Sequence, residues 1–182
     1  VSDCSFGNCG GGVKFDTCAE IKINNVEFTD KSSTSTDGAE RNVNLSNVEL
    51  RGSDNITVSN CIFNRRTGKT VYANTCENVY MSNLTLKTVT GYSTSALKGF
   101  VFEGNNSGLK MVDISVDSST QYAHYTFNNS LSGARLVRCS ALGDAPITEP
   151  TVNGGVFCFN AVLTDVEMQD CLVDNVTAYC GI

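Results

Sequence analysis

One short phrase recurs along this chain and limits its fold more than any other feature. It runs apolar, any residue, apolar, then two polar residues ending in Asn or Asp, then apolar, any residue, apolar. Ile21, Ile23, Asn25, Val26 and Phe28 carry it first, and Ile56, Val58, Asn60, Cys61 and Phe63 repeat it. It returns at Val79, Met81, Asn83, Leu84 and Leu86, and again at Leu109, Met111, Asp113, Ile114 and Val116. Ala134, Leu136, Arg138, Cys139 and Ala141 follow, then Val166, Met168, Asp170, Cys171 and Val173, while Asp3, Cys4 and Phe6 open the chain on the second half alone. Self-similarity at a period of roughly 20 to 50 residues marks a solenoid, in which each repeat buries its apolar face against its neighbours.

Apolar residues at i and i+2 share one face of a strand, and a two-residue interruption forces a corner before the alternation resumes. Asn and Asp are the non-glycine residues that best tolerate the left-handed backbone such a corner needs. Arg138 departs from that pattern, so local strain or a slightly different turn is expected there. A third strand lies upstream in each repeat, at Val13 and Phe15, Val48 and Leu50, Val71 and Ala73, Phe100 and Phe102, Tyr125 and Phe127, and Phe157 and Phe159. Three short strands per repeat predict an all-β chain: a single-stranded right-handed parallel β-helix of about six to seven coils. One domain would span residues 1–182.

Successive corner residues, at 3, 25, 60, 83, 113, 138 and 170, are 22, 35, 23, 30, 25 and 32 positions apart. The shortest spacing is one bare coil, so the surplus is expected in loops on one edge, at 29–47, 64–69, 87–97, 117–122 and 142–154. Stacked coils also predict an aromatic column through Phe15, Phe102, Phe127 and Phe159. A smaller column would hold Cys4, Val26, Cys61, Leu84, Ile114, Cys139 and Cys171. Both read as packing. The chain starts inside a corner and stops with an apolar strand begun, which reads as a segment of a longer chain or as ends covered by a partner.

No apolar run approaches the roughly 20 residues of a membrane span, so membrane insertion is not expected. A net charge of −6 argues against nucleic acid. Nine cysteines with no Cys-x-x-Cys pair, and His124 as the single histidine, give no zinc framework, and neither a metal nor a cofactor is expected. The odd cysteine total and the strand-register positions favour reduced, buried thiols and synthesis in a reducing cytoplasm. Cys18 and Cys76 fall in turns, where one disulfide remains open. Asn-x-Ser/Thr tripeptides at Asn44, Asn55, Asn83, Asn105, Asn128 and Asn175 read as products of an Asn-rich composition.

Candidate chemistry sits on outward positions, which alternation sends to solvent. On the upstream strand these are Lys14, Glu49, Tyr72, Val101, Thr126 and Cys158, with Glu103 beginning the next turn. Glycoside hydrolysis uses two carboxyl groups about 5 to 9.5 Å apart. Glu49 and Glu103, two coils apart and so roughly 10 Å distant by strand spacing, are the candidate catalytic pair. Tyr72, Tyr92, Tyr122 and His124 are candidate ligand contacts. Asp165, Glu167 and Asp170 gather near the last coil and suit calcium or plain solvation. Lys22, Lys110 and Arg135 share an outward column that could meet an acidic glycan, although the intervening Thr57 and Tyr80 break it.

The stretch from Asp54 to Phe63 and its repeats resemble the pectate-lyase-like β-helix superfamily, and most closely the central shaft of a bacteriophage tailspike. That resemblance implies a homotrimer on a virion or outside the cell. It implies recognition of host surface polysaccharide, often with cleavage by hydrolysis or β-elimination. The superfamily's polygalacturonase motifs are missing here. Two functions follow as expectations: a glycan-recognising shaft or adhesin, and a polysaccharide depolymerase whose carboxylates lie on one groove or between subunits.

Overall fold

A computed structural model describes residues 1–7, 12–29, 46–65, 68–88, 97–117, 125–142 and 156–174. The alternation of the sequence phrase becomes strand there: Ile23, Val26 and Phe28 are buried, while Lys22, Asn25 and Glu27 face out. The first strands are β1 (Ser2–Gly7), β2 (Val13–Asp16), β3 (Lys22–Thr29), β4 (Ser46–Arg51), β5 (Asp54–Arg65), β6 (Gly68–Asn74) and β7 (Glu77–Thr88). They continue as β8 (Leu97–Glu103), β9 (Asn105–Ser107), β10 (Lys110–Asp117), β11 (Tyr125–Leu142), β12 (Phe157–Gln169) and β13 (Leu172–Asp174). The protein is all-β, and the described residues contain no helix.

Every described strand pairing is parallel, and each joins one repeat to the next. The order β1-β3-β5-β7-β10-β11 carries the repeated phrase, and β11-β8-β6-β4-β2 carries the upstream strand back along the same stack. Like residues therefore fall in columns with rungs about 4.8 Å apart. Val13, Val48, Val71, Phe100, Tyr125 and Phe157 form one inward column, and Phe15, Leu50, Ala73, Phe102, Phe127 and Phe159 the next. The expected aromatic column thus exists, with Leu50 and Ala73 separating Phe15 from the rest.

Aromatic stacking is more extensive than the sequence suggested. Phe28 stacks between Phe6 and Phe63, each at 5.1 Å. Tyr125 stacks between Phe100 at 5.5 Å and Phe157 at 4.5 Å. Each near-parallel contact contributes about 0.5 to 1.5 kcal/mol beyond burial. The small column runs through Cys4 and Val26 and through Cys61, Leu84, Ile114 and Cys139, as expected.

The corners follow the sequence closely. Asp3, Asn25, Asn60, Asn83, Asp113 and Asp170 all have φ between 51° and 56°. Arg138 has φ 50° and makes the same turn, so a different turn does not occur there, and the left-handed arginine carries the expected strain. Its guanidinium grips Asp113 one rung below through Nε at 2.6 Å and a second nitrogen at 2.8 Å. Neighbouring corners form an amide ladder: Asn25 Nδ2 donates to Asp3, Asn60 Nδ2 to Asn24, and Asn83 Nδ2 to Asn60, each at 2.8 Å. A left-handed residue costs about 1–2 kcal/mol when it is not glycine, and these bonds offset part of that.

Two further left-handed points per repeat were not foreseen. One lies at Thr17, Gly52, Thr75, Gly104 and Asn129, the other at Glu20, Asn55, Asn78, Gly108, Gly133 and Asp165. They bracket a short bend between the upstream strand and the phrase. Gly104 is needed twice over: its φ is 70°, and a Cβ would run into the Thr75 hydroxyl and the Asn74 amide oxygen.

Cysteines 4, 18, 61, 76, 139, 158 and 171 are free thiols, and only Cys61, Cys76 and Cys139 are buried. Cys18 and Cys76 occupy the same place in the bend, but Ser53 stands on the rung between them, since Asp54 N donates to Cys18 O and Glu77 N to Ser53 O. Two rungs is about 9.6 Å, beyond the reach of a disulfide. Most of the loop segments expected at 29–47, 64–69, 87–97, 117–122 and 142–154 lie outside the described residues. Among those described, no helix is long and apolar enough to cross a membrane.

Candidate functional site

The outward side of the sheet formed by β2, β4, β6, β8, β11 and β12 carries the candidate catalytic pair. Alternation places Lys14, Glu49, Tyr72, Val101, Thr126 and Cys158 in one outward column, as the sequence predicts. The expectation that all of them meet solvent fails. Tyr72 is 5% exposed, Val101 1% and Thr126 3%. Outward is therefore not the same as wet, because strand alternation says nothing about what lies over a sheet.

Glu49 and Glu103 stand two rungs apart, as expected, with Tyr72 on the rung between. Glu49 Oε1 takes Arg51 Nε at 2.6 Å and Lys14 Nζ at 3.3 Å. Tyr72 donates its hydroxyl to Glu103 Oε2 at 2.7 Å and accepts from Asn74 Nδ2 at 2.9 Å. The Lys69 ammonium lies 3.9 Å from the Tyr72 ring centre, and the Arg51 guanidinium 5.6 Å from it. The two carboxylates thus belong to one network, joined through an aromatic ring between cations.

Burial is the main cause that raises the Tyr72 pKa; the Asn74 bond opposes it, and the bond and charge of Glu103 add to it. The Glu49 hydrogen bond, then its charge, raise Arg51. Burial also drives Tyr125 well above the ordinary tyrosine value, although its hydroxyl donates to Ser140 O at 3.0 Å. Both tyrosines are held neutral by the fold, so their contribution to stability is complete below about pH 10, the ordinary value, and is lost as pH rises through the raised values. We expect cooperative unfolding on the alkaline side of pH 10, with Tyr125 ionising only as the sheet opens. Ultraviolet tyrosinate titration beside circular dichroism checks this; full ionisation with the sheet intact would contradict it.

Sequence reasoning missed the second outward column of this sheet. Asp16, Arg51, Asn74, Glu103, Asn128 and Asn160 occupy successive rungs, and every one is polar and at least partly accessible. The signal was present in the fourth residue of each upstream strand, two places beyond its outward neighbour. Four buried side-chain oxygens without a hydrogen-bond partner, on Ser46, Asn47, Thr70 and Thr126, also belong to this sheet. Unmet hydrogen-bonding capacity among the described residues is concentrated on its strands.

The other candidates are less coherent. Tyr92, Tyr122 and His124 lie outside the described residues. Lys22, Thr57, Tyr80, Lys110 and Arg135 do share a column, with the Lys110 ammonium 5.5 Å from the Tyr80 ring centre. Arg135 there is paired with Glu167 at 3.0 Å. Asp165 and Asp170 sit at different corners with φ 54°, and no group of three or more His, Cys, Asp or Glu among the described residues is placed to hold a metal. No known protein family, curated protein or solved structure matches the chain.

Proposed function

We propose that this chain is a right-handed parallel β-helix that forms the shaft of a phage tailspike or related adhesin. In this reading it works as a homotrimer, on a virion or outside the cell, and recognises host surface polysaccharide. Parallel in-register rungs and three left-handed points in a typical repeat support the solenoid. The observation that carries the function is the polar column Asp16, Arg51, Asn74, Glu103, Asn128 and Asn160. It offers carboxylates, amides and a guanidinium at a pitch of about 4.8 Å, comparable to the length of one sugar ring. A linear polyhydroxylated chain lying along the stack meets a hydrogen-bonding group at every rung.

The test is a glycan array of capsule and O-antigen fragments, followed by titration of the chain that binds. Arg51→Ala and Asn74→Ala are each expected to weaken binding about tenfold, the loss of one hydrogen bond of about 1.4 kcal/mol. Unchanged affinity in both variants removes recognition from this face, and a wild type that binds no glycan leaves a purely architectural shaft.

The second reading, a polysaccharide depolymerase, draws on the 2.7 Å contact of Tyr72 with Glu103 and on Glu49 in the same network. A carboxyl group and a phenol in contact suit proton transfer at a glycosidic linkage or a sugar C–H. New reducing ends, or the ultraviolet absorbance of an unsaturated uronate after incubation with the bound glycan, would support it. Binding without either product would reject it.

A further inference from the structure

A disulfide requires Cα atoms about 4.4–6.8 Å apart, which in this stack restricts it to cysteines in one column on adjacent rungs. Cys4 and Cys61 share a column, but Val26 lies between them. Ser53 separates Cys18 from Cys76. Cys158 faces outward beside Thr126. Cys139 and Cys171 differ from all of these. Val137 pairs with Gln169 and Ser140 with Leu172, so the two cysteines stand one above the other at the same register.

Each sulfur atom leans toward a carbonyl of the preceding rung, so the two thiols follow one another along the column. Cys139 Sγ is buried and approaches the carbonyls of Val137 at 3.8 Å and Met111 at 3.7 Å. Cys171 is only partly buried, and its Sγ leans back across the rung to the carbonyl of Leu136 at 3.5 Å, on the strand that bears Cys139. Cys171 is the more accessible residue of the two, and Cys139 lies buried on the adjacent rung.

The geometry points to Cys139 and Cys171 as a latent cross-rung disulfide site, closed by a low-molecular-weight disulfide once the protein leaves a reducing compartment. Cys171 thiolate attacks one sulfur of a glutathione-type disulfide, forms a mixed disulfide and releases one small thiolate. Cys139, after losing its proton to water, attacks Cys171 Sγ, forms the protein disulfide and releases the second thiolate. Two protein thiols are oxidised and one small disulfide is reduced to two thiols. The bond would tie β13 to β11, where Leu172 and Val173 are otherwise exposed. Cys61 and Cys76, with no thiol on the next rung among the described residues, stay reduced.

Burial and the neighbouring Cys171 push Cys139 up to about 12. Its thiolate is therefore scarce near neutrality, and the closing step should accelerate about tenfold per pH unit.

The experiment treats the folded, reduced chain with oxidised glutathione and counts thiols by intact mass after alkylation. Two thiols are expected to disappear without retained glutathione. Digestion after both aspartate and glutamate, which separates Cys139, Cys158, Cys171 and Cys180 at Asp144, Asp165, Asp170 and Asp174, should yield one linked pair of peptides containing Cys139 and Cys171. Cys139→Ala should instead hold a stable glutathione adduct on Cys171, and Cys171→Ser should lose no thiol pair. Linkage through any other cysteine, a persistent adduct in the unaltered protein, or a closing rate that ignores pH overturns the proposal. If Cys139→Ala fails to fold, the peptide map and Cys171→Ser decide it alone.

Discussion

Phe127→Ala is expected to destabilise this protein by about 4 kcal/mol, within the usual range for a fully buried phenylalanine. Phe127 is 1% exposed and stacks between Phe102 at 5.1 Å and Phe159 at 4.9 Å, with its ring within 9° of parallel to both. Truncation removes two ring contacts and leaves a hole between rungs whose spacing is fixed by backbone hydrogen bonds, so the neighbours have little freedom to close it. A domain of this size has roughly 5–15 kcal/mol in total, so the loss is a large share. Urea titration followed by circular dichroism should show a much lower midpoint with little change in slope. Phe127→Leu should recover much of the difference. A loss below about 1 kcal/mol would mean that the stack does not form.

Asn60→Val is expected to cost about 3 kcal/mol at a position exposed to solvent, where most substitutions change little. Asn60 has φ 53°, which disfavours a β-branched residue by about 1–2 kcal/mol or more. It also donates to Asn24 and accepts from Asn83, both at 2.8 Å, and each bond adds about 0.5–1 kcal/mol. Asn60→Gly separates the two causes, because glycine keeps the backbone conformation and loses only the bonds. The glycine variant should therefore be the more stable of the two in the same denaturant series. Equal losses would show that backbone strain is not what selects asparagine at this corner.

The phrase made the columns and one set of corners legible because both depend on local rules: alternation along a strand, and the few residue types that accept a left-handed φ. Asn25, Asn60, Asn83 and Asp113 announced themselves for that reason. The corners at Thr17, Gly52, Thr75 and Gly104 did not, since threonine and glycine each occur for many other reasons and share no side-chain signature. At Arg138 the turn was not legible because its support is long-range: Asp113 on the preceding rung holds the guanidinium, as preceding rungs hold the amides of Asn25 and Asn83. At the candidate site, the outward register of Glu49 and Tyr72 could be read, but not the burial of Tyr72, Val101 and Thr126, which is decided outside the strand. The column from Asp16 to Asn160 has no single shared residue type and stands at the edge of the bend, where alternation alone does not say whether the strand continues.

In-register pairing has a mechanical corollary. Backbone N–H···O=C bonds between rungs run along the direction of stacking, so a push on one end loads all the bonds of a rung together and passes to the next without bending a loop. A structure of this kind behaves as a strut under compression. A sideways tug at one edge, by contrast, peels a single layer at a time. Substitutions that leave the interior columns intact should alter what the flanks touch while leaving that axial stiffness unchanged.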